Sequence, residues 1–461
     1  MAGILRYGSY VRFFRLSRAA LGGRKGERAA ASYDENSVSM AVEAAREALR
    51  GAPAVDSLLF ATTSPAYAEK LDASTIHAAL DLTPRVLAAS MGGSTRSGIT
   101  SFLVGAALAE AGRKTLVAAS DVVVGAPGGA RESMGGDAAA AFVLGHDNDA
   151  AARILGHASI TGEVMDVWRS PESPFAEQWE ERFGMEVLLP LMQEAATRAL
   201  RAAAVAPESL AKVVVDSTNR RAAAALVRGL RLRPEQAADD LSNDVGRAGA
   251  AHAGLMLARA LDDSKPGDRI ALVVGADGAD ACILEVTEAI HAARPRRSVA
   301  RWVESKRNDL PYTSYLKWRG ILPFEPPRRP NPKRPEAPPM RRSERWKYAF
   351  VGSRCKVCGT ANLPPQRICI QCRTLDQMEP EPFADAGGRI ATYTLDRVGY
   401  TLQPPIIAAV VDFDQGGRFS CQLTDADPDR LAIGDELEMT FRHLYVADGV
   451  HNYFWKARPK R

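Results

Sequence analysis

The stretch GGSTRSGITSFLVGAALAEAG, residues 92–112, joins a glycine- and serine-rich loop to a long run of small apolar residues. Alanine and glycine along a helix let neighbouring backbones approach closely, so this run predicts a buried helix that begins near Gly98. A second run of the same kind, GRAGAAHAGLMLARAL, covers residues 246–261. Two buried small-residue helices in one chain indicate a repeated unit.

Around these helices, strand-like runs alternate with alanine-rich helical runs over residues 1–290. The first half contains SLLFATT, TLVAASDVVV and DAAAAFVLG, and LAKVVVDSTN and RIALVVGADGADACILEVT follow in the second half. Two similar halves of about 140 residues predict a duplicated α/β fold. We place these halves at residues 1–150 and 151–291.

Residues 292–348 differ in composition, because proline and arginine dominate in LPFEPPRRPNPKRPEAPPM. Proline at this density favours extended backbone, so the segment is predicted to be a semi-rigid connector. Before it, LPYTSYLKWRGIL carries enough aromatic and aliphatic residues to dock as a short helix on a neighbouring surface. The basic character suits a solvated linker or the path of a phosphate group on a ligand. It does not by itself indicate nucleic-acid binding, since no aromatic-interleaved basic platform accompanies it.

The remaining sequence predicts a zinc ribbon over residues 349–386 and an OB-type barrel over residues 387–461. The ribbon contains two CxxC pairs formed by Cys355, Cys358, Cys369 and Cys372. Four thiolates close a tetrahedral site, so we expect a structural Zn²⁺ rather than a catalytic one, with iron or disulfides as the alternatives. The barrel is predicted from five short alternating runs: GRIATYTLD, PIIAAVVDF, RFSCQL, DELEMTFR and NYFWKAR.

Overall composition is that of a soluble chain long enough for two or three domains. The chain has 461 residues, of which 46% are hydrophobic and 25% charged, and a net charge of +4. No stretch approaches the roughly 18 uncharged apolar residues of a membrane span. Two further cysteines, Cys282 and Cys421, lie in strand-like runs, and the cysteine pattern as a whole favours metal in a reducing compartment. We therefore expect a cytoplasmic protein.

Four segments resemble the thiolase superfamily, in particular its branch similar to hydroxymethylglutaryl-CoA synthase. They are MAGILRYGSYVRFFRLSR, LLFATTSPAYAEK, GGDAAAAFVLG and VGRAGAAHAGLMLARALDD. The C-terminal part resembles the zinc-ribbon/OB-fold domains found beside acyl-CoA enzymes of that superfamily. The resemblance implies a duplicated five-layered thiolase fold, a homodimer, CoA thioester substrates and a cysteine nucleophile assisted by two further residues.

None of the residues that the resemblance implies for catalysis is present. Thr95 occupies the place of the nucleophilic cysteine, Asp216 that of the histidine and Arg247 that of the third member of the set. Asn219 matches an asparagine that usually follows the histidine, and Thr63 falls near the place of a glutamate base. A threonine hydroxyl without an adjacent base is a poor nucleophile, so a covalent acyl-enzyme is not expected.

Two functions fit this pattern. The first is an enzyme that cleaves or forms a carbon–carbon bond β to a thioester or keto acid by a retro-aldol or thiolysis reaction, with CoA as substrate or product. Asp216 would then be the base, Arg247 would bind an anion, Thr95 would donate a hydrogen bond and His252 would transfer a proton. Further proton-transfer candidates are Tyr67, Tyr312 and Tyr315, and a second thiolase-like or hydratase subunit fits such a reaction.

The second function is a non-catalytic acyl-CoA-binding scaffold, in which Asp216 and Arg247 form an inert ion pair. Under this interpretation Thr95 is a helix cap and His252 a packing residue. Three interpretations are common to both functions. His77 is structural, and the aromatic set Tyr312, Tyr315 and Trp318 is a docking stripe. The stretch GAPGGARESMGGD is not a nucleotide loop but ends in a turn at Gly135, Gly136 and Asp137.

Overall fold

The computed structural model describes residues 1–23, 25–146, 150–325, 328, 330 and 332–461. The chain divides into two compact units. The first comprises Met1–Ala31, Asn36–Ser74 and Pro84–Leu310, and the second Ser32–Glu35, Thr75–Thr83 and Pro311–Arg461. This division is coarser than the boundaries after residues 150, 291, 348 and 386, which stay a prediction. No helix in the described part of the chain combines the length and apolar character of a membrane span.

The strands of the first unit alternate with helices, as the sequence predicts. The strands are β1 (Gly3–Val11), β2 (Phe14–Ser17), β3 (Glu27–Ala30), β4 (Ser57–Ala61), β5 (Leu87–Met91), β6 (Thr115–Asp121), β7 (Ala138–Gly145), β8 (Ala152–Thr161), β9 (Val167–Trp168), β10 (Glu177–Gln178), β11 (Lys212–Ser217), β12 (Arg269–Gly275) and β13 (Gly278–Val286). The run RIALVVGADGADACILEVT is thus a hairpin of β12 and β13, because Asp277 and Gly278 adopt positive φ angles and turn the chain.

The helices of residues 1–310 include the two small-residue helices predicted from the sequence, α3 and α7. The helices are α1 (Ser37–Leu49), α2 (Asp72–Ala79), α3 (Ser97–Glu110), α4 (Ala130–Met134), α5 (Glu181–Ala203), α6 (Arg220–Gly229), α7 (His252–Asp263), α8 (Ile290–Ala293) and α9 (Val299–Glu304). A 3-10 turn, Gly249–Ala251, precedes α7.

The main sheet has the order β11-β12-β13-β8-β1-β7-β6-β4-β5 among the described residues. Outward from the neighbours β1 and β8, each half repeats two antiparallel pairings followed by a parallel one. The halves join through the pairs Gly3–Arg153 and Ile4–Ala152. This repetition confirms the predicted duplication.

Helices α3 and α7 contact each other, and together they contact strands of both sheet halves, whereas α1 and α5 each pack on one half. The central helices need small residues because the space between them is narrow. An added Cβ on Gly98 would lie 1.9 Å from the carbonyl oxygen of Ala250. Glycine is therefore required at the first turn of α3, which leads out of the loop containing Thr95.

We expect Gly98→Ala to destabilise the protein by about 1–3 kcal/mol, because the methyl group forces two backbones apart and this cost exceeds the gain in helix propensity. Thermal unfolding would measure the change. Gly229→Ala is the matched control, since its Cβ would meet only the Gln193 Nε2 atom at 3.7 Å. Equal stability of the two variants would contradict the close approach of these backbones.

The second unit contains a small sheet and a closed barrel, both predicted from the sequence. The sheet has the order β15-β14-β16, formed by β14 (Val351–Cys355), β15 (Ala361–Asn362) and β16 (Met378–Pro382). The barrel has the order β17-β18-β19-β21-β20, formed by β17 (Gly387–Asp396), β18 (Ile406–Phe413), β19 (Arg418–Leu423), β20 (Glu436–Ala447) and β21 (Val450–Pro459).

The connector is more helical than its composition predicts. It contains α10 (Tyr312–Trp318), α11 (Ala337–Arg342) and α12 (Glu344–Ala349). The expectation that the proline-rich stretch favours extended backbone is wrong for α11, because its prolines fall in the first turn, where a missing N–H group costs nothing. Part of the predicted proline-rich centre, at residues 326, 327, 329 and 331, lies outside the described residues.

Candidate active site

A cavity of about 460 Å³ lies in the first unit, near the end of β11 and the start of α7. The four predicted catalytic residues all line it, although they come from three separate segments. The lining residues are Thr95, Val123, Ala130, Arg131, Met134, Gly135, Val167, Gln178, Trp179, Glu181, Asp216, Thr218, Arg220, Arg247, Gly249 and His252. No cysteine is among these described residues.

Asp216 and Arg247 form an ion pair at the cavity wall, between Arg247 Nη2 and Asp216 Oδ1. The Asp216 side chain is 8% exposed and the Arg247 side chain 24% exposed. Both predicted functions, the enzyme and the scaffold, depend on these two residues. In such an ion pair the two charges compensate each other. Because one side of the pair faces the cavity, the contact can also break so that either charge binds a ligand.

The backbone of Arg247 is held against the turn that precedes β7. Its N–H group donates to the Met134 carbonyl at 2.9 Å, and its carbonyl accepts from the Gly136 N–H group at 3.0 Å. The preceding residue must be glycine, because Gly246 has a φ of +83° and an added Cβ would lie 2.2 Å from the Gly135 carbonyl oxygen. The predicted turn at Gly135, Gly136 and Asp137 therefore positions Arg247.

His252 begins α7 and is buried, with 3% exposure. Its Nδ1 atom accepts a hydrogen bond from the Ala248 N–H group at 3.3 Å, so the proton of the neutral ring is on Nε2. Burial lowers the pKa of His252, an effect that the charge of Asp216 opposes and that of Arg247 reinforces. The ring is therefore neutral near pH 7.

Thr95 lies in the loop before α3 and does not cap that helix. The N-cap position belongs to Arg96, and no side chain caps the helix through a hydrogen bond. Arg96 anchors the loop through two hydrogen bonds to Asp280, at 2.7 and 3.0 Å. No described residue shares a hydrogen bond with the Thr95 hydroxyl, which leaves this group available to a ligand in the cavity.

Two other residues placed by the resemblance have structural contacts. Thr63 donates from its backbone and its hydroxyl to Asp121, a buried carboxylate that also accepts from the N–H group of Ala250. Asn219 caps α6 by accepting from the Ala222 N–H group, and it donates to the Glu181 carbonyl. Neither residue is among the described residues that line the cavity.

The aromatic and histidine candidates outside the cavity also have contacts of their own. Tyr67 lies beside the Lys70 ammonium group. In the second unit, Tyr312 stacks on Tyr315, and Trp318 donates to the Leu402 carbonyl at 3.0 Å, as a docking stripe would. His77, also in the second unit, contacts the Thr83 carbonyl through Nε2 at 2.9 Å, which supports its structural interpretation.

Sequence reasoning missed several charged and aromatic residues of the cavity, namely Arg131, Glu181, Trp179 and Arg220. The stretch GAPGGARESMGGD is predicted to end in a turn and to bind no nucleotide, and its Arg131 lines this cavity. The remaining three residues lie in the segment from β10 to α6 and carry no motif. The one sequence feature that could have indicated Arg131 is that it is a charged residue within a glycine-rich stretch.

The four ribbon cysteines converge in the second unit. Their Sγ atoms all lie within 4.8 Å of one another, and all four thiols are free. The Cys355–Cys372 and Cys358–Cys369 sulfurs are 3.6 and 3.5 Å apart, too far for disulfide bonds. Four sulfurs bound about 2.3 Å from one ion are about 3.8 Å apart, so this geometry fits a tetrahedral metal site.

Comparisons with known proteins match the two parts of the chain to two different kinds of protein. A hydroxymethylglutaryl-CoA synthase of Aeropyrum pernix is 29% identical over 342 residues, covering 70% of this chain and 95% of that protein. The second part is similar to a DUF35 domain-containing scaffold protein of Methanothermobacter thermautotrophicus, with 35% identity over 119 residues, covering 25% of this chain and 89% of that protein. Residues 382–442 match a family model described as the C-terminal OB-fold domain of ChsH2.

Two solved structures are similar in fold to the first part of the chain. A structure of an HMG-CoA synthase complexed with CoA has a TM-score of 0.61 at 16% identity, covering 68% of this chain and 89% of that chain. A 3-oxoacyl-(acyl carrier protein) synthase III from Pseudomonas aeruginosa has a TM-score of 0.57 at 21% identity, covering 62% of this chain and 98% of that chain.

Proposed function

We propose that this chain, a homologue of hydroxymethylglutaryl-CoA synthases with a C-terminal OB-fold domain, makes or breaks a carbon–carbon bond β to a CoA thioester. The family resemblance and the fold class predicted from the sequence are confirmed. We further propose that the reaction proceeds without an acyl-cysteine. One observation carries this proposal: Thr95, Asp216, Arg247 and His252 line one cavity that no described cysteine lines.

In the retro-aldol direction, the Asp216 carboxylate accepts the proton of the substrate β-hydroxyl group. The oxygen lone pair then forms a carbonyl, the Cα–Cβ bond breaks, and its electron pair delocalises onto the thioester oxygen as an enolate. Arg247 and the Thr95 hydroxyl donate hydrogen bonds to this developing charge. The enolate carbon takes a proton back, and the products are an aldehyde or ketone and a shortened acyl-CoA.

In the thiolysis direction, the same groups act on a β-keto thioester. A base in the cavity accepts the proton of the CoA thiol, and the thiolate adds to the β-carbonyl carbon. Collapse of this adduct breaks the Cα–Cβ bond and releases two thioesters. The neutral His252 ring can accept or donate a proton at neutral pH, which suits the transfers that either direction requires.

Product analysis by mass spectrometry tests the proposal. Purified protein would be incubated with a panel of 3-hydroxyacyl-CoA and 3-oxoacyl-CoA esters, and with free β-keto acids plus CoA. We expect a shortened acyl-CoA from one class and no acyl adduct in the intact-protein mass during turnover. An acylated protein, or CoA ester binding without any product, would overturn the noncovalent enzyme.

Removal of the Thr95 hydroxyl by Thr95→Val is expected to lower kcat about 100- to 1,000-fold, because one hydrogen-bond donor to the developing charge is lost. Steady-state kinetics with the substrate identified above would measure this. Thr197→Val is the control, since the described partner of that hydroxyl is the Gln193 carbonyl in the same helix. An unchanged kcat in Thr95→Val would exclude the hydroxyl from the reaction.

A scaffold remains the second candidate, favoured by the direct Asp216–Arg247 contact, which leaves neither charge unpaired. In that case CoA esters bind and no bond is broken. Homodimerisation, and a second thiolase-like or hydratase subunit, are further proposals that belong to either function. Size-exclusion chromatography with light scattering would determine the first of them.

We also propose that Cys355, Cys358, Cys369 and Cys372 hold a structural Zn²⁺. An ion closed by four thiolates has no open position for substrate, so its binding energy stabilises the small ribbon sheet. The Gln371 N–H group donates to the Cys369 sulfur at 3.4 Å, the kind of contact that orients a thiolate ligand.

Cys369→Ser is expected to abolish metal binding and to unfold the ribbon, because three thiolates leave the tetrahedral site incomplete. Elemental analysis of the purified protein would measure zinc, and hydrogen exchange would follow β14 to β16. Cys421→Ser is the matched control, since Cys421 lies in β19 outside the cluster. Iron instead of zinc in the wild type, or zinc retained in Cys369→Ser, would contradict this assignment.

A further inference from the structure

The loop that carries Thr95 is attached to the rest of the first unit through the side chain of Arg96. The guanidinium group donates two parallel hydrogen bonds to the Asp280 carboxylate, from Nε to Oδ2 at 2.7 Å and from Nη2 to Oδ1 at 3.0 Å. The Arg96 side chain is 12% exposed and that of Asp280 is 2% exposed. A bidentate contact of this kind is stronger than a neutral hydrogen bond, and its geometry fixes the orientation of both side chains.

Further hydrogen bonds join the same guanidinium group to β8 and to the turn before β13. The Nη1 atom donates to the Asp277 carbonyl at 2.6 Å and to the Thr161 hydroxyl at 3.3 Å. The Nη2 atom donates to the Ile160 carbonyl at 3.3 Å. Arg96 therefore connects the loop before α3 to two strands from distant parts of the chain.

The turn between β12 and β13 leaves space for the guanidinium group because it contains Gly278. This residue has a φ of +117°, and an added Cβ would lie 2.6 Å from Arg96 Nη1 and 2.3 Å from the Ile160 carbonyl oxygen. Beside the turn, the Ser159 hydroxyl donates to Asp280 at 2.5 Å and orients that carboxylate. The partners of Arg96 are thus held in place by contacts of their own.

Backbone hydrogen bonds shape the loop but do not attach it to the cavity wall. The Ser97 N–H group donates to the Ser94 carbonyl at 3.0 Å within the same turn. Gly93 has a φ of +91°, and an added Cβ there would meet no described atom within 4 Å. The side chains of Ser94 and Arg96 both contact the hairpin of β12 and β13. Because Thr95 lies between these two residues, their contacts set its position.

We propose that Arg96 is a positioning residue of the reaction, which holds the Thr95 hydroxyl where it donates to the thioester oxygen. This inference rests on the proposed function, because it names a residue that acts on the same site through Thr95. Arg96 is not among the described residues that line the cavity. A donor displaced by about 1 Å loses much of its effect on the developing charge, so loss of the anchor lowers kcat more than it changes ester binding.

Arg96→Met is expected to lower kcat about 10- to 100-fold and to leave KM within about twofold, because Thr95 acts mainly on the transition state. In the Thr95→Val background the same change should have almost no further effect, since the group that Arg96 positions is already absent. Arg96→Lys should restore part of kcat, because an ammonium group can pair with Asp280 but cannot reproduce the planar fork. Steady-state kinetics with the ester identified by product analysis would measure all three effects.

Arg269→Met is the matched control in the same hairpin. Arg269 in β12 pairs with Glu285 in β13 at 3.1 Å and is 38% exposed, so its loss should leave kcat within about twofold. An unchanged kcat in Arg96→Met would overturn the proposal. A fall by the same factor in the wild-type and Thr95→Val backgrounds would also overturn it, because Arg96 would then not act through Thr95.

Hydrogen exchange separates this inference from the proposed function. Amide exchange at residues 93–98 reports the attachment of the loop even if no ester is turned over. We expect this exchange to be about 10- to 100-fold faster in Arg96→Met, the value of a charged hydrogen-bonded pair, and unchanged in Arg269→Met. Faster exchange in Arg96→Met together with no turnover of any ester by the wild type would reject the proposed function alone. Unchanged exchange in Arg96→Met would reject the anchoring of the loop by Arg96.

Discussion

Asp216→Asn is expected to lower kcat by about 100- to 10,000-fold, the contribution of a positioned general base. The amide has the shape of the carboxylate and can still accept a hydrogen bond from Arg247, but it cannot accept a proton from a substrate hydroxyl or thiol group. Rapid-quench measurement of product with the preferred ester would give the rate of the chemical step. Circular dichroism would show that the variant keeps its fold.

Asp263→Asn is the matched control for this change. Asp263 pairs with Arg259 one helical turn away and is 57% exposed, so its loss should leave kcat within about twofold. If the Asp216–Arg247 ion pair is inert, the wild type shows no turnover, and Asp216→Asn leaves CoA ester binding unchanged while it reduces stability. That result would favour the scaffold over the enzyme.

Arg442→Met is expected to destabilise the second unit by about 3–5 kcal/mol, because it removes the central cation from a buried cluster of carboxylates. The Arg442 side chain is fully buried and contacts Asp34, Glu35 and Asp425 at 3.4, 2.5 and 2.6 Å. Loss of the guanidinium group would leave these carboxylates without their shared partner. Urea unfolding followed by the fluorescence of the buried Trp455 would measure the change.

Arg418→Met serves as the control in the same barrel, since Arg418 pairs with Asp412 but is 66% exposed. Its loss should therefore cost less than about 1 kcal/mol of stability.

The pH dependence of stability gives a second readout for Arg442→Met. Burial raises the pKa of Asp34, but Lys456 and Arg442 outweigh it and hold this pKa below its usual range. Stability from Asp34 is therefore present at neutral pH and is lost as the pH falls below about 4. Arg442→Met should weaken this acid dependence, and an unchanged profile would contradict the role of the cluster.

The candidate site could be located from the sequence only in part. The resemblance places Thr95, Asp216 and Arg247, and His252 is a candidate from its position on the small-residue helix; the structure brings all four to one cavity. Their roles stay a prediction. Arg131 was missed because nothing in the linear sequence says which glycine-rich turn lines the cavity.

By itself, the sequence determined the features that depend on neighbouring residues. Periodicity and small-residue composition predicted α3 and α7, the CxxC spacing predicted the cysteine cluster, and five alternating runs predicted the barrel. These features follow from local backbone geometry and from side chains that lie a few positions apart.

Only the tertiary structure decided which distant residues meet. It paired Asp216 with Arg247, placed Ala250 against Gly98 so that only glycine fits there, and brought Arg131 to the same cavity as Asp216. Each result depends on distances between segments that are far apart in the chain. Packing of the duplicated halves sets those distances, and local sequence preferences carry no information about them.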